Sequence, residues 1–385
     1  MNEAISKKMN HIKVIFLSVI LILIVFTGCI EEQQDLDTTE EKSQIEILMD
    51  QPSILPDWKD GDYHSYLETR EMLNNFNSKY PNLVNIFEIG ISVLEKDIEC
   101  IIITNERNRT EKFSCLIDGC IHGCEWESGE ACLYIAEYLL INYGTNKTIS
   151  NILNTTKVYI VPLVNPDGRE NDYRFNENGI DLNRNFDIDF GRLRGHCMPL
   201  GKILGRKIPY LSFPRLNIWF TNCGRRPFSE PETQAMRHLM WFLDSQKFSF
   251  YLNCHTATHS INTPWSAFKP AFKITEQESR VYSKVRKWVS ENTEYEDKPL
   301  WYKASGTAPD WCFKEFHIPS FTFEILSFDY EPGAGGGKHD NLVHWMKTTL
   351  PVFMYLLVNA ENLYSWKIPD IEPSLPEGVP PDPLK

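Results

Sequence analysis

The sequence predicts an α/β protein in which a mixed, largely parallel sheet is covered by helices on both faces. Two observations support this class. From about residue 62, short apolar runs typical of strands alternate with segments of helical periodicity, and this alternation favours parallel strand pairing. The chain has 385 residues, 42% of them hydrophobic and 24% charged, which excludes a disordered or collagen-like polymer and allows one domain of roughly 300 residues.

The strands are predicted from short apolar runs that are bounded by polar or turn-forming residues. No internal repeat interrupts their order along the chain. The predicted strands cover residues 84–89, 98–103, 113–118, 158–164, 248–252 and 321–326.

The helices are predicted from apolar periodicity and from residues that begin or end a helix. A first helix places Tyr63, Tyr66, Leu73 and Phe76 on one face and stops at Pro81, and a last helix covers residues 340–364. Capping residues mark three helices between these two, because Ser and Thr accept hydrogen bonds from the first backbone amides of a helix. They are Ser128, for a helix that ends near Gly144, and two capping boxes formed by Ser229 with Glu232 and by Thr275 with Glu278.

The N-terminal segment has the pattern of an export signal. Residues 14–26 are apolar, follow several lysines and precede Thr27, Gly28 and Cys29. This run is short for a bilayer span of about 20 residues. The Gly28-Cys29 pair resembles the lipobox of prokaryotic lipoproteins, in which the cysteine is lipidated. We therefore expect a signal peptide over residues 1–28 and a prokaryotic protein held at the extracellular face of the membrane through Cys29, with plain secretion or an uncleaved single-span anchor as alternatives.

Composition divides the rest of the chain into three parts. Residues 29–61 are rich in carboxylates and predict a solvated acidic tether. Residues 62–366 form the globular domain, and residues 367–385 form a Pro-rich, extended tail. The net charge of -13 argues against nucleic acid as a partner, since phosphate contacts need clustered Lys and Arg.

The cysteine count limits the disulfides. Ten cysteines less Cys29 leave an odd number, so at least one thiol stays unpaired within the chain. Disulfides are allowed outside the cell, and Cys197 with Cys223 is the favoured pair, worth about 3 to 4 kcal/mol in the loop-entropy model. The remaining connectivity stays open, because sequence alone does not determine it.

Polar side chains follow three of the predicted strands. His122 and Glu125 come after the strand at residues 113–118, His255 follows the strand at residues 248–252, and Glu324 ends a run of apolar residues. Ligands and catalytic groups in open α/β sheets gather beyond the carboxyl ends of strands. Two imidazoles and a carboxylate suit a catalytic zinc, which keeps one position for water. Taken singly, each histidine could equally be a hydrogen-bonded core or surface residue.

Seven motifs then occur in a fixed order along residues 63–364. They are IHGCEW, VNPDG, NGIDLNRNF, PFSEPET, NCH, YKASGTAPDW and FTFE. In this order they resemble the zinc metallocarboxypeptidases of the carboxypeptidase A and B type. The resemblance implies an eight-stranded mixed sheet, a catalytic domain over residues 62–366 and one Zn²⁺ per chain. It also implies hydrolysis of the C-terminal peptide bond of extracellular peptides or proteins.

The resemblance assigns the metal site residue by residue. It makes His122, Glu125 and His255 the zinc ligands, and it makes Asp181 the carboxylate that orients the first histidine. Glu324 becomes the general base that takes a proton from zinc-bound water.

The resemblance also assigns the substrate contacts. Arg174 would stabilise charge on the scissile carbonyl oxygen, and Asn183 with Arg184 would bind the terminal carboxylate of the peptide. Tyr302 would close over the bound end. Pro309 lies deep in the side-chain pocket at a position where an acid selects Lys and Arg. The proline therefore disfavours basic specificity and favours apolar or aromatic C-terminal residues.

Two features depart from the family pattern. Cys124 stands between the first two ligands where an arginine is common; a buried thiol is the favoured interpretation, and a competing thiolate ligand is the alternative. Residues 187–226 form a long basic insertion that we expect to rim the site and to contact acidic or extended substrates, with a solvated surface loop as the alternative. Its basic residues are Arg192, Arg194, Lys202, Arg206, Lys207, Arg215, Arg225 and Arg226.

The sequence leaves two other functions open. The same zinc centre could hydrolyse another amide, such as a cell-envelope peptide or an acyl-amino acid. The second alternative is a non-catalytic surface lipoprotein that binds peptides. Glu324 argues against it, because peptide binding needs no general base. The expected partners are peptide or protein C-termini, and the expected state is a monomer.

Overall fold

The computed structural model describes the globular domain and its immediate N-terminal approach. The chain divides into two units, Met1–Ser53 and Ile54–Lys385, and the second of them forms the globular fold. The predicted signal peptide, Cys29, most of the tether and the Pro-rich tail lie outside the described residues. The described ranges are 53–193, 196–198, 208–213, 218–266, 273–297, 303–327 and 338–366.

Helices and strands alternate through the described ranges as the sequence predicts. The helices are α1 (Tyr66–Lys79), α2 (Trp126–Asn142), α3 (Lys147–Thr155), α4 (Pro166–Glu170), α5 (Pro231–Asp244), α6 (Glu276–Asn292), α7 (Ala308–Phe316), α8 (Leu342–Val358) and α9 (Ala360–Ser365). The strands are β1 (Val84–Ile91), β2 (Asp97–Ile103), β3 (Phe113–Asp118), β4 (Thr156–Val161), β5 (Cys197–Met198), β6 (Tyr210–Phe213), β7 (Ile218–Asn222), β8 (Phe248–Asn262) and β9 (Ser320–Ser327).

Six of these strands form the main sheet in the order β1-β2-β4-β3-β8-β9. Strand β3 runs parallel to β4 and β8, whereas β2 is antiparallel to both β1 and β4. The last part of β8 returns along β9, because His255 and Ser260 both pair with Glu324. The described residues therefore fill seven strand positions of the predicted eight, and a bridge between Ser260 and Glu296 extends the sheet beyond them. The predicted mixed α/β class is confirmed.

The central strands are buried on both faces of the sheet. Leu116 of β3 belongs to a core cluster with Met236 of α5 and Trp311 of α7. Its neighbours Cys115 and Ile117 point to the opposite face and are also fully buried. Because helices cover both faces, these strands appear in the sequence as continuous apolar runs and not as an alternating pattern.

The helix starts were predicted with mixed success. Thr275 caps α6 in a complete capping box with Glu278, as expected. The prediction for Ser128 is wrong: α2 begins at Trp126, and the Ser128 hydroxyl accepts a hydrogen bond from the Cys120 backbone amide instead.

The predicted capping box of Ser229 with Glu232 is also wrong. Glu230 is the N-cap residue of α5, and the Ser229 hydroxyl donates to its carboxylate. The Ser229 hydroxyl thus donates to its neighbour Glu230 and accepts from the distant Asn185, and these hydrogen bonds replace one to the helix amides. The predicted last helix is divided at Asn359 into α8 and α9.

The packed domain begins earlier than residue 62. The backbone amide of Ile54 donates to Asn142 at 2.7 Å, and Trp58 Nε1 donates to Glu137 at 2.7 Å, so residues 54–61 lie along α2. No helix within the described ranges combines the length and apolarity needed to cross a membrane.

The basic insertion contains a small second sheet with the strand order β5-β7-β6. The predicted disulfide between Cys197 and Cys223 is present and joins β5 to the end of β7. Other cysteines of the described ranges, including Cys124, are not part of a disulfide.

Candidate active site and metal centre

The fold brings the three predicted metal ligands together. His122 and Glu125 lie in the turn between β3 and α2, and His255 lies on β8, the strand next to β3. One ligand atom from each residue lies within 4.8 Å of the others, and all three side chains are buried. The sequence prediction placed these residues at the carboxyl ends of neighbouring strands, where the structure has them.

The carboxylate of Glu125 lies between the two imidazoles. Its Oε1 is 2.7 Å from His122 Nδ1, and its Oε2 is 2.8 Å from His255 Nδ1. Burial opposes ionisation of Glu125, but the neighbouring His122 and His255 outweigh it and hold the pKa of the carboxyl below its ordinary value. The three side chains thus direct a negatively charged oxygen and two ring nitrogens, all possible metal ligands, towards one point.

The second nitrogen of each ring is held from behind. His122 Nε2 lies 3.0 Å from Asp181 Oδ1, and His255 Nε2 lies 2.6 Å from Asn253 Oδ1. Acceptors in these positions turn the Nδ1 atoms towards a metal. Two imidazoles, one carboxylate and their outer acceptors are the donor set of a catalytic zinc, so the residues present fit that ion.

Asp181 has the orienting position that the resemblance predicted. Its Oδ2 accepts from Arg174 Nε at 3.2 Å and Nη2 at 3.0 Å, while its Oδ1 faces His122. Burial alone would raise the pKa of Asp181, but Arg174 and then His122 lower it well below its ordinary value. Asp181 is therefore a fixed anion behind the first histidine.

Arg174 also reaches the metal site itself. Its Nη1 lies 3.3 Å from Glu125 Oε1, and its side chain is partly exposed to the site opening. The guanidinium thus bridges Asp181 and Glu125 and remains partly exposed.

Glu324 lies directly beside the metal ligands. It pairs with His255 across β8 and β9, so both side chains project from the same face of the sheet. Within the described residues its Oε2 is buried and has no hydrogen-bond partner. Burial raises the pKa of Glu324 to about 7, with a further rise from Glu125 and opposing effects from His255 and Arg174. A carboxyl with a pKa near neutrality is suited to general acid and base catalysis.

Asn183 and Arg184, the two residues predicted to bind the terminal carboxylate, lie in the short 3₁₀ turn Leu182–Arg184. We call this pair the carboxylate clamp. Arg184 is 1% exposed; its Nη1 donates to the Asn183 carbonyl, but its Nε and Nη2 have no partner among the described residues. Asn183 Nδ2 lies 3.1 Å from His255 Nε2, which connects the clamp to the metal site. A buried guanidinium with unpaired nitrogens is costly unless a ligand completes its hydrogen bonds.

Three further residues were singled out in the sequence, namely Tyr302, Pro309 and Cys124. Tyr302 lies outside the described residues. Pro309 is buried near the start of α7, and the adjacent Asp310 accepts hydrogen bonds from the backbone amide and hydroxyl of Ser266. Burial, followed by the charge of Glu125, raises the pKa of the Cys124 thiol to about 12. Cys124 is not among the three residues whose ligand atoms converge, which favours the thiol interpretation over a thiolate ligand.

The basic insertion adjoins the loop that carries the clamp. The backbone amide of Asp181 donates to the Asn222 carbonyl at 2.8 Å, and Asn185 Nδ2 donates to the Cys223 carbonyl at 2.8 Å. Five of its eight basic residues lie outside the described ranges, so contact with substrate stays a prediction. These five are Arg194, Lys202, Arg206, Lys207 and Arg215.

Sequence reasoning missed the partner of the second histidine. Asn253 precedes His255 by two residues on one strand, so both side chains point to the same face. That spacing was the available signal, but it became informative only with Asp118 of β3 placed opposite Asn253.

Comparison with known proteins identifies the family of this chain. The profile of the family described as zinc carboxypeptidase matches residues 69–332. Carboxypeptidase O of Bos taurus is 25% identical over 316 residues, which cover 76% of this chain and 78% of that protein. Carboxypeptidase A6 of Mus musculus is 25% identical over 283 residues, or 68% of this chain, and the match spans 60% of its own length.

A solved structure agrees at the level of the fold. Thrombin activatable fibrinolysis inhibitor superposes with a TM-score of 0.63 at 24% identity, covering 79% of this chain and 75% of that one. With the family profile matching well over half of the sequence, the chain belongs to the zinc carboxypeptidase family. The prediction of a metallocarboxypeptidase-class hydrolase is confirmed, and the family is zinc-dependent.

Proposed function

We propose that this protein removes the C-terminal residue of extracellular peptides or proteins with one zinc ion per chain. The observation that carries the proposal is the buried guanidinium of Arg184, whose Nε and Nη2 have no partner among the described residues. Arg184 directly follows Asn183, whose side chain contacts His255. A planar fork of donors matches a carboxylate, and a free carboxylate beside a scissile amide occurs at a peptide C-terminus.

The chain's own residues have distinct tasks in this reaction. Arg184 and Asn183 bind the terminal carboxylate and hold the last peptide bond beside Glu125 and the two histidines. When bound by these ligands, zinc supplies a Lewis acid that polarises the carbonyl and acidifies water.

Proton transfer and charge stabilisation fall to two further residues. Glu324 accepts a proton on its carboxylate from the attacking water and delivers it to the leaving amine. Arg174 places Nη1 near the negative charge that develops on the carbonyl oxygen. Pro309 supplies no charge to the pocket, which supports a preference for apolar or aromatic terminal residues.

The cellular setting is part of the proposal. The apolar run at residues 14–26 and the Gly28-Cys29 pair support export and a lipid anchor at Cys29, followed by the acidic tether. The enzyme would then act as a monomer on peptide C-termini at the outer face of a prokaryotic membrane, without nucleic acid.

A panel of blocked dipeptides tests the function. The substrates end in Phe, Leu, Lys or Glu, each with a free carboxylate and as the amide, and each is assayed with and without a chelator. We expect cleavage of the carboxylate forms with Phe or Leu preferred, and loss of activity on chelation that zinc restores. Equal cleavage of the amides would favour another amide hydrolase, and binding without cleavage would favour a peptide-binding protein; either result overturns the proposal.

A further inference from the structure

A buried chain of polar groups leads from β3 to the second metal-binding histidine. Asp118 ends β3 and pairs in register with Asn253 of β8, and both side chains are fully buried. Asp118 Oδ1 accepts from Asn253 Nδ2 at 2.6 Å, and Asn253 Oδ1 lies 2.6 Å from His255 Nε2. We propose that Asp118 and Asn253 are positioning residues that set the tautomer of His255 and thereby prepare its Nδ1 for the metal.

The direction of the Asn253 amide follows from what each neighbour can offer. The Asp118 carboxylate provides acceptors, and its Oδ2 already accepts from the Tyr251 hydroxyl at 2.7 Å. The NH₂ end of Asn253 must therefore face Asp118. Its carbonyl oxygen, which has no hydrogen to donate, is left facing the imidazole.

The tautomer of His255 follows from that direction. Nε2 has two amide neighbours, the Asn253 carbonyl oxygen at 2.6 Å and the Asn183 NH₂ at 3.1 Å, and the much shorter contact requires Nε2 to carry the hydrogen. A neutral imidazole has one N–H, so Nδ1 keeps its lone pair and faces Glu125 Oε2 at 2.8 Å. Two acceptors that face each other at this distance need a cation to join them, and a metal ion is such a cation.

The two histidines are held in different ways. His122 meets the carboxylate of Asp181, which accepts from an N–H in either orientation. His255 Nε2 faces the side-chain amide of Asn253, which presents its carbonyl oxygen to the ring in only one of its two orientations. Asp118 supplies that constraint although it does not contact the histidine, so its effect on the metal passes through Asn253.

The test measures zinc affinity and the histidine tautomer without any substrate. Zinc is titrated in competition with a chromophoric chelator at pH 8, and ¹⁵N NMR of histidine-labelled apoprotein reports which ring nitrogen of His255 carries the hydrogen. We expect Nε2–H in the wild type, and about 10- to 100-fold weaker zinc binding for Asn253→Ala, the range typical of outer partners of metal ligands. Asn142→Ala, which removes another buried asparagine with hydrogen bonds of its own, should leave zinc affinity unchanged.

The variant Asp118→Asn separates positioning from folding. It keeps the shape of the side chain but offers either an acceptor or a donor, so the Asn253 amide is no longer directed. We expect a mixture of His255 tautomers and several-fold weaker zinc binding. A wild-type spectrum with Nδ1–H, or zinc affinities of both variants within twofold of the wild type, would overturn the inference. This inference uses the metal centre of the proposed function but not its substrate, so a failed peptidase assay would leave these results interpretable.

Discussion

At the residue scale, the site concentrates buried charge with incomplete hydrogen bonding. Glu324 Oε2 and two nitrogens of Arg184 are buried without partners among the described residues. Protein interiors seldom keep such groups, because each costs about 1 to 3 kcal/mol or more when unsatisfied. In the proposed function Arg184 binds the peptide terminus and Glu324 takes a proton from the attacking water, so substrate binding would relieve the cost.

Replacing Glu324 by Gln should remove the base and keep the shape. We expect kcat to fall about 10²- to 10⁴-fold, because an amide does not accept the proton from the attacking water. Steady-state kinetics on a blocked dipeptide, together with the zinc titration, checks this expectation. Zinc affinity should stay close to the wild-type value, and Glu71→Gln, at an exposed position on α1, is the matched control. A kcat within tenfold of the wild type would mean that another group takes the proton.

Replacing Arg184 by Lys should keep the positive charge but remove the planar pair of N–H donors. A lysine ammonium is a point charge that does not bind a carboxylate through two parallel hydrogen bonds. We expect KM for carboxylate-terminated dipeptides to rise about 10- to 100-fold, as measured by initial rates. Arg280→Lys, at an exposed position on α6, should leave KM unchanged. If the two variants behave alike, Arg184 does not bind the substrate terminus.

At the scale of elements, the site is built from strand ends and the turns that follow them. Parallel pairing of β3 with β8, and of β8 with β9, brings residues far apart in sequence to one edge of the sheet. The clamp turn is fixed from the opposite side by Gly306, whose amide donates to Ile188 and whose carbonyl accepts from Phe186. The geometry of the clamp therefore depends on a residue more than a hundred positions away.

Gly306→Ala tests this dependence. Gly306 has a φ of +72°, and a Cβ there would lie 2.2 Å from the Arg184 carbonyl oxygen. We expect a loss of about 2 kcal/mol or more in the free energy of unfolding, measured by chemical denaturation, and a raised KM because the clamp must shift. Gly144→Ala is the control, since Gly144 has a φ of +85° but no atom within 4 Å of the added methyl group. Equal losses would show that contact with Arg184 is unimportant.

At the scale of the whole molecule, a buried acidic pair joins the loop of the site to α5. Asn176 Nδ2 donates to Glu230 at 2.8 Å and to Glu232 at 3.1 Å, and Glu232 also accepts from the Val93 amide. Burial raises the pKa of Glu232 to about 7 from its ordinary value of 4.5, despite these hydrogen bonds, and the nearby charge of Glu230 adds to the rise.

This shift predicts a pH dependence of stability. The folded state holds the Glu232 proton more tightly than the unfolded chain, so the wild type loses stability as pH rises from about 4.5 to about 7. Glu232→Gln lacks this loss. We expect its free energy of unfolding, relative to the wild type, to improve by roughly 3 kcal/mol between pH 4.5 and 8, as measured by urea denaturation at each pH. A difference that does not change with pH, as expected for Glu71→Gln, would contradict this account.

Much of the fold could be predicted because a strand that is buried on both faces of a sheet needs a run of apolar residues, and such runs are visible in the sequence. Residues 113–118 were predicted to the residue, since a short run that is mostly apolar and buried on both faces lies between Lys112 and Gly119. The return of β8 along β9 was missed, and so were the roles of Ser128 and Ser229. In each case the decisive partner, such as Cys120 for Ser128, comes from another element.

The sequence by itself determined the class of the protein and predicted its candidate site residues, because the types and order of His122, Glu125, His255, Arg184 and Glu324 can be read from the motifs that contain them. Only the tertiary structure decided how these groups are held. The hydrogen bond of Asn253 to Asp118 and the contact of Gly306 with the clamp turn both join separate elements. Hydrogen bonds and close contacts of this kind depend on distances across the sheet, which linear spacing does not encode.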